Sequence, residues 1–262
     1  EDSLKVRLLN RTTRTVRLTD EGELFYQQAR QIVDAATEAE RSVKNLNEKP
    51  SGTLHINAPE SLGLSHITPL LVEFAKRYPD IVIEVQYTNK FINILEDGAD
   101  VTIRVAALTD SSLIARKLAR CQFAFAASPE YIDTHGAPTH PDQLINHRFV
   151  EYAYIERPGE IRYRNQAGKS GVAMVATAFR ANTSHIQAEA VRAGIGVTVL
   201  PTFVIGEDIK RGKLVHILKD FTLDPDRNIY ALFPHNRHMS AKVRLFIDFI
   251  SERFGGTPSW EV

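Results

Sequence analysis

The sequence predicts an α/β protein in which a basic hairpin and one long helix precede a module of two lobes. Three observations carry this reading. Charge is segregated at one end of a neutral chain: Lys5, Arg7, Arg11, Arg14 and Arg17 stand against Glu1 and Asp2, a net +3 before Thr19 in a 262-residue sequence with 32 basic and 32 acidic side chains. Apolar residues then recur in alternating steps of four and three from Phe25 to Leu46. Beyond Pro50, extended and helical patterns alternate to the end of the chain.

The hairpin rests on the apolar alternation of Val6 and Leu8, then Thr15 to Leu18, broken by Thr12, Thr13 and Arg14. Two short strands joined by a turn with arginines near its tip present an electrostatic footprint for phosphate. A solvated surface hairpin has the same pattern, so charge alone leaves both readings open. Thr19 suits a helix N-cap, followed by Asp20 and Glu21 at the positive end of the helix dipole. Gly22 is expected to weaken that cap, because a capping box places Glu or Gln there.

Phe25, Ala29, Ile32, Ala36, Ala39, Val43 and Leu46 form a heptad seam. A helix from Thr19 to about Glu48 is roughly 45 Å long, too long and too lightly apolar to be buried in one domain. The seam is therefore expected to pair with another helix; packing on its own domain is the alternative. Asn47 to Gly52, with Pro50 and Gly52, ends the helix and marks a boundary.

The second module is long enough for one large or two small lobes with real cores. Its apolar share is that of a globular protein, 43% over the whole chain, with a mean hydropathy of −0.22. Strands are expected at residues 53–58, 81–87 and 101–105, with helices at 64–77 and 93–96 between them. That order predicts a parallel sheet of βαβ units. A second set follows, with strands at 122–127, 178–181 and 197–200 and a helix at 184–193. A strand at 228–233 and an amphipathic helix at 240–254, carrying Val243, Phe246, Ile247 and Ile250 on one side, close the chain.

Leu8-Leu9-Asn10-Arg11-x-x-Arg14, then Leu18-Thr19-x-x-Gly22, then the long helix, resemble the LysR-type transcriptional regulators. The resemblance continues through Leu54-His55-Ile56-Asn57-Ala58-Pro59, Phe74-x-x-x-Tyr78-Pro79 and Asp97-Gly98-Ala99-Asp100-Val101-Thr102-Ile103-Arg104. It extends to Asp110 through Leu118, Ala127-Ser128-Pro129-x-Tyr131, Ala193-Gly194-x-Gly196 and Leu200-Pro201, and so covers essentially the whole chain. Each motif alone is weak; their order at these spacings is specific.

The resemblance implies that residues 1–18 are the C-terminal remnant of a winged helix-turn-helix DNA-binding domain, entered after its recognition helix, and that 19–50 are a linker and dimerisation helix. It implies a two-lobed effector domain like a periplasmic binding protein, with lobe I at 51–126 and 229–262 and lobe II at 127–228. A bacterial, cytoplasmic transcription regulator is implied, with double-stranded DNA and copies of itself as partners, in dimers and tetramers, and RNA polymerase as a further one. Arg11 and Arg14 are carried over as wing contacts to DNA, and Thr19 as the cap beside the backbone; such contacts position DNA without reading bases.

For a small-molecule effector, the physical argument points to strand-to-helix junctions, where unpaired amides and the helix dipole favour anions. Two qualify: Pro59 to Gly63, which offers Ser61 and Leu62, and Asn182 to His185, which offers Thr183, Ser184 and His185. Helix capping is the competing role for the hydroxyls. Glu60 argues against a purely anionic ligand, so a polar or amphipathic effector fits as well. Arg104, a charge ending an apolar strand, is a candidate for effector pairing or for an internal ion pair. Asn89 and Phe203 join them as residues that follow strands.

Enzyme chemistry is not expected. Adjacent Ser184-His185 and Ser65-His66 do not make a nucleophile and base, and neither a Gly-x-Ser-x-Gly elbow nor a phosphate-binding glycine motif occurs. His235-x-x-His238 lacks the further ligands of a metal site, and no cofactor is expected. The single cysteine, Cys121, excludes an internal disulfide framework and suits a reducing compartment. No apolar run approaches eighteen residues, which argues against a membrane span. The main competitor, a periplasmic-type solute-binding protein, leaves the basic hairpin and the heptad helix unexplained.

Overall fold

The computed structural model describes residues 1–11, 16–26, 28–29, 32–33, 36, 50–89, 98–107, 113–234, 239–255 and 260. Strands β1 (Leu9–Arg11) and β2 (Val16–Leu18) pair antiparallel, with Leu9 opposite Leu18. Residues 20–26, 28, 29, 32, 33 and 36 are helical and are termed α1. Thr19 links the two elements: its Oγ1 donates to the Arg7 carbonyl at 2.6 Å and accepts from the Gly22 amide at 2.9 Å. Gly22 has a role that the capping argument does not show. A Cβ there would lie 1.9 Å from the Leu8 carbonyl oxygen, so the hairpin and helix meet at this distance only because the side chain is missing.

Along the seam, Phe25 and Ile32 are 47% and 70% exposed, Ala36 is exposed and Ala29 half-buried. Ala39, Val43, Leu46, Arg14 and the Arg11 side chain lie outside the described residues. Glu23 and Tyr26 of α1 face His55, Asn57, Glu84 and Gln86 of the following module across a groove of about 490 Å³.

That module opens with a five-stranded sheet in the order β4-β3-β5-β15-β6, formed by β3 (Gly52–Ala58), β4 (Ile81–Tyr87), β5 (Val101–Ala106), β6 (Leu113–Cys121) and β15 (Arg227–Pro234). Strand β3 runs parallel to β4 and β5, as the βαβ order predicts. The sheet as a whole is mixed, which corrects the expectation of a parallel one. The returning strand β15 inserts between β5 and β6 and is antiparallel to both.

The first helix of this lobe starts at Glu60 rather than Leu64. Short α2 (Glu60–Leu62) runs through a π-helical turn (Gly63–Ile67) into α3 (Thr68–Arg77). The wide turn makes room for Tyr87: a Cβ on Gly63 would sit 2.6 Å from its ring. Tyr87 Oη lies 2.8 Å from Thr68 Oγ1, which itself donates to the Gly63 carbonyl. The closing helix α7 (Ala241–Phe254) buries Val243, Phe246, Ile247 and Ile250 against Leu54, Ile56 and Phe74. The helix expected at 93–96 lies outside the described residues.

The second lobe is built on three small sheets. The first has order β12-β7-β13, from β7 (Phe123–Ala127), β12 (Thr198–Pro201) and β13 (Val215–Ile217). The second pairs β8 (Arg148–Tyr152) with β11 (Ala176–Ala181), and the third has order β10-β9-β14, from β9 (Glu160–Asn165), β10 (Ser170–Met174) and β14 (Phe221–Leu223). Helices α4 (Pro129–His135), α5 (Ser184–Arg192) and α6 (Thr202–Lys210) complete it. Because β7 pairs with β12 and β13, sheet membership changes at Gln122, ahead of the 126/127 boundary read from the sequence. Arg227 begins the return, opposite Cys121, with its guanidinium 5.7 Å from the Phe123 ring centre.

Candidate functional site

Strands β3 and β5 are parallel neighbours, so their carboxyl ends open onto the same edge of the sheet, where α2 begins. Asn57, 1% exposed on β3, accepts at Oδ1 a hydrogen bond from Arg104 Nη1 at 2.8 Å. The same nitrogen donates to the Ile103 carbonyl at 2.9 Å. Two amide oxygens thus fix the position of the Arg104 guanidinium. Ser61, in the first turn after Pro59, is 4% exposed and its Oγ has no hydrogen-bond partner among the described residues. A buried hydroxyl without a partner is costly, and a ligand group is one way to satisfy it.

Facing residues come from the second lobe. Thr183 caps α5, its Oγ1 accepting from the Ile186 amide at 3.4 Å, which is the capping role weighed for it in the sequence. Ser184 and His185 follow in the first turn, half-buried. Among the described residues three side-chain hydrogen bonds join the lobes, from Asn89, Ser65 and His66. Asn89 accepts from the Glu60 amide at 3.0 Å and donates to the Asn182 carbonyl at 2.9 Å. Ser65 Oγ meets His185 Nε2 at 3.3 Å, and His66 Nε2 meets the Phe203 carbonyl at 2.9 Å.

Two residues picked for the cleft turn inward instead. The Leu62 side chain is fully buried in the first lobe's core, and Phe203, 7% exposed, extends from α6 into that same core, edge-on to His66. They pack the joint.

Tyr152, missed in the sequence, belongs with this group. It ends β8, a strand that no clear alternation announces, and its ring meets Tyr154 edge-on at 5.9 Å. Burial pushes its phenol up to about 12; the Tyr154 charge adds to this, Arg104 and Arg227 oppose it, and Glu60 works in the same direction as burial. The phenol therefore stays neutral, a hydrogen-bond donor in the field of two guanidiniums and one carboxylate. Among the described residues no group of three potential metal ligands occurs, and no described helix is long and apolar enough to cross a membrane.

Two α/β lobes joined by crossing strands, with hydroxyls, amides and an arginine gathered where they meet, define an effector domain of the transcriptional-regulator type. The chain belongs to the LysR family: residues 47–255 match the LysR substrate binding domain. It is 33% identical over 247 residues to an uncharacterised HTH-type transcriptional regulator of Haemophilus influenzae, covering 93% of this chain and 84% of that protein. It is 30% identical over 256 residues to the HTH-type transcriptional regulator CrgA of Neisseria meningitidis, covering 97% and 85%. The solved structure of CrgA superposes with a TM-score of 0.70 at 29% identity, over 97% of this chain and 86% of that one. The full-length Vibrio cholerae virulence activator AphB, a member of the LTTR protein family, gives 0.69 at 33% identity, over 95% and 84%. The chain is a LysR-type transcriptional regulator.

Proposed function

We propose that the two-lobed module senses a small polar molecule held where the lobes meet, and that its occupancy sets the geometry of DNA-binding elements carried by the first fifty residues. The partnerless hydroxyl of Ser61 carries this reading, buried at the mouth of a helix and across from the Thr183-capped start of α5. Ser61, Thr183, Ser184 and His185 offer hydrogen bonds, Arg104 a positive charge, and Asn89 a link between the walls; Leu62 and Phe203 support them from the core. An effector shifts the lobes only through differential affinity for two arrangements, so it must touch both.

Residues 1–18 are read as the end of a winged helix-turn-helix, with Arg11, Arg14 and Thr19 on the DNA backbone. Residues 19–50 are the dimerisation helix, whose seam from Phe25 to Leu46 pairs with another copy and sets half-site spacing. The exposure of Phe25 and Ile32 supports that pairing. Dimers and tetramers, contact with RNA polymerase, a cytoplasmic location, and a role without catalysis or cofactor complete the proposal. Its test is calorimetric titration with small carboxylic acids and amides. Binding that Ser61→Ala and Thr183→Ala each weaken supports the site, and affinity unchanged in both removes it.

A further inference from the structure

The joint beneath the cleft is centred on His66 and Trp260, neither of which the proposed effector site uses. His66 lies in the π-helical turn of the first lobe and meets three elements. From α6 come the Phe203 carbonyl, 2.9 Å from Nε2, and the Phe203 ring, edge-on at 5.9 Å. From the C-terminal end comes Trp260, its ring centre 4.2 Å away at a 55° tilt. Trp260 also touches Phe203 and Phe254, and its buried indole nitrogen has no hydrogen-bond partner among the described residues. From α5 comes the imidazole of His185, which holds Ser65 across the lobes. Near this joint, Thr202 donates its amide to the carbonyl of Gln122, where the chain crosses between lobes.

We propose that His66 and Trp260 form a proton-sensitive joint: a proton taken up by His66 loosens its packing on Phe203 and Trp260 and frees the second lobe to turn about Gln122. The physical reason is the surroundings. Two aromatic rings bury the imidazole, and the charge on His185 opposes a second one nearby; the bond to the Phe203 carbonyl and the indole face act the other way. Burial is the larger effect and pushes His66 below the ordinary imidazole value, with the Phe203 carbonyl raising it and His185 lowering it further. The closed joint therefore binds a proton less well than an opened one. Its contribution is complete above the free imidazole value and is lost progressively as pH falls below it.

Trp260 is the sole tryptophan, so it reports on the joint directly. Intrinsic fluorescence of the full chain between pH 7.5 and 5.0 is expected to fall reversibly, with unchanged circular dichroism and a midpoint below about 6.5. His66→Gln, which keeps a donor for the Phe203 carbonyl but cannot titrate, should give a flat profile, and His185→Gln should keep the transition and move it to higher pH. Amide exchange at residues 202–205, corrected for its intrinsic pH dependence, should quicken several-fold at pH 5.5 only where His66 is present. A flat profile in the unaltered chain, an unchanged transition in His66→Gln, or exchange indifferent to His66 overturns the proposal. Should His66→Gln lose its circular dichroism, proton NMR of the unaltered chain decides: the His66 imidazole and Trp260 indole signals moving with one midpoint supports the joint, and separate midpoints contradict it.

Discussion

Asn89 donates from its side-chain amide to the main-chain carbonyl of Asn182 at 2.9 Å, so the end of β4 in one lobe is tied to the residue before the α5 cap in the other. Its Oδ1 accepts from the Glu60 amide, which fixes the Asn89 side chain on the first lobe. One residue thereby connects both walls of the cleft.

Asn89→Asp keeps the acceptor for Glu60 and loses the donor to Asn182. Loss of one such bond costs about 1 kcal/mol of lobe closure, so small-molecule affinity in calorimetry is expected to weaken roughly fivefold while the melting temperature changes little. Asn89→Ala, which frees the Glu60 amide as well, should weaken it more.

Gly63→Ala places a methyl group 2.6 Å from the Tyr87 ring. Overpacking of this kind costs about 1–3 kcal/mol, and thermal unfolding should move down by several degrees. Adding Tyr87→Leu, which vacates that space, should recover part of the loss.

Glu151 has a side chain wholly removed from solvent, accepting from Arg180 Nε at 2.9 Å, Thr177 Oγ1 at 3.1 Å and the Gly159 amide at 2.5 Å. Arg180→Ala strips the compensating charge from a buried carboxylate. Since Arg180 is itself 48% exposed, solvent screens part of the effect; a loss of about 1–3 kcal/mol is expected in denaturant unfolding.

Gly22→Ala tests the link between hairpin and helix. With 1.9 Å to the Leu8 carbonyl there is no room for a methyl group, and backbone cannot rotate aside as a side chain can. Amide exchange at Leu8 and Thr19 should quicken at least tenfold, with the melting of the two-lobed module unaltered.

Much of this organisation is legible in the sequence because it is periodic. The strand at 81–87, the strand ahead of Pro59 and the face of α7 all follow from apolar spacing and turn residues. The mixed sheet is not legible, because β15 reads as any apolar strand until the chain's return from the second lobe inserts it between β5 and β6. The π-helical turn has no local signature either; it follows from the contact of Gly63 with Tyr87, twenty-four positions away. The strand-to-helix rule pointed to Ser61 and Thr183, at the starts of α2 and α5, while Tyr152 escaped it because β8 runs into a turn rather than a helix. Leu62 and Phe203 show the limit of choosing by position alone, since the residue after a strand turns into the core as readily as into a cleft.

The account's central claim is an oligomeric regulator whose first helix joins the copies and leaves the two-lobed sensor free to respond. Light scattering of the 29.4 kDa chain beside its Ile32→Glu variant tests this most directly, because Ile32 is 70% exposed and lies in the seam. A mass at an even multiple of the chain that falls to half or less in the variant is the expected result. The chain's own mass in both, or an assembly that the charge leaves intact, would contradict it.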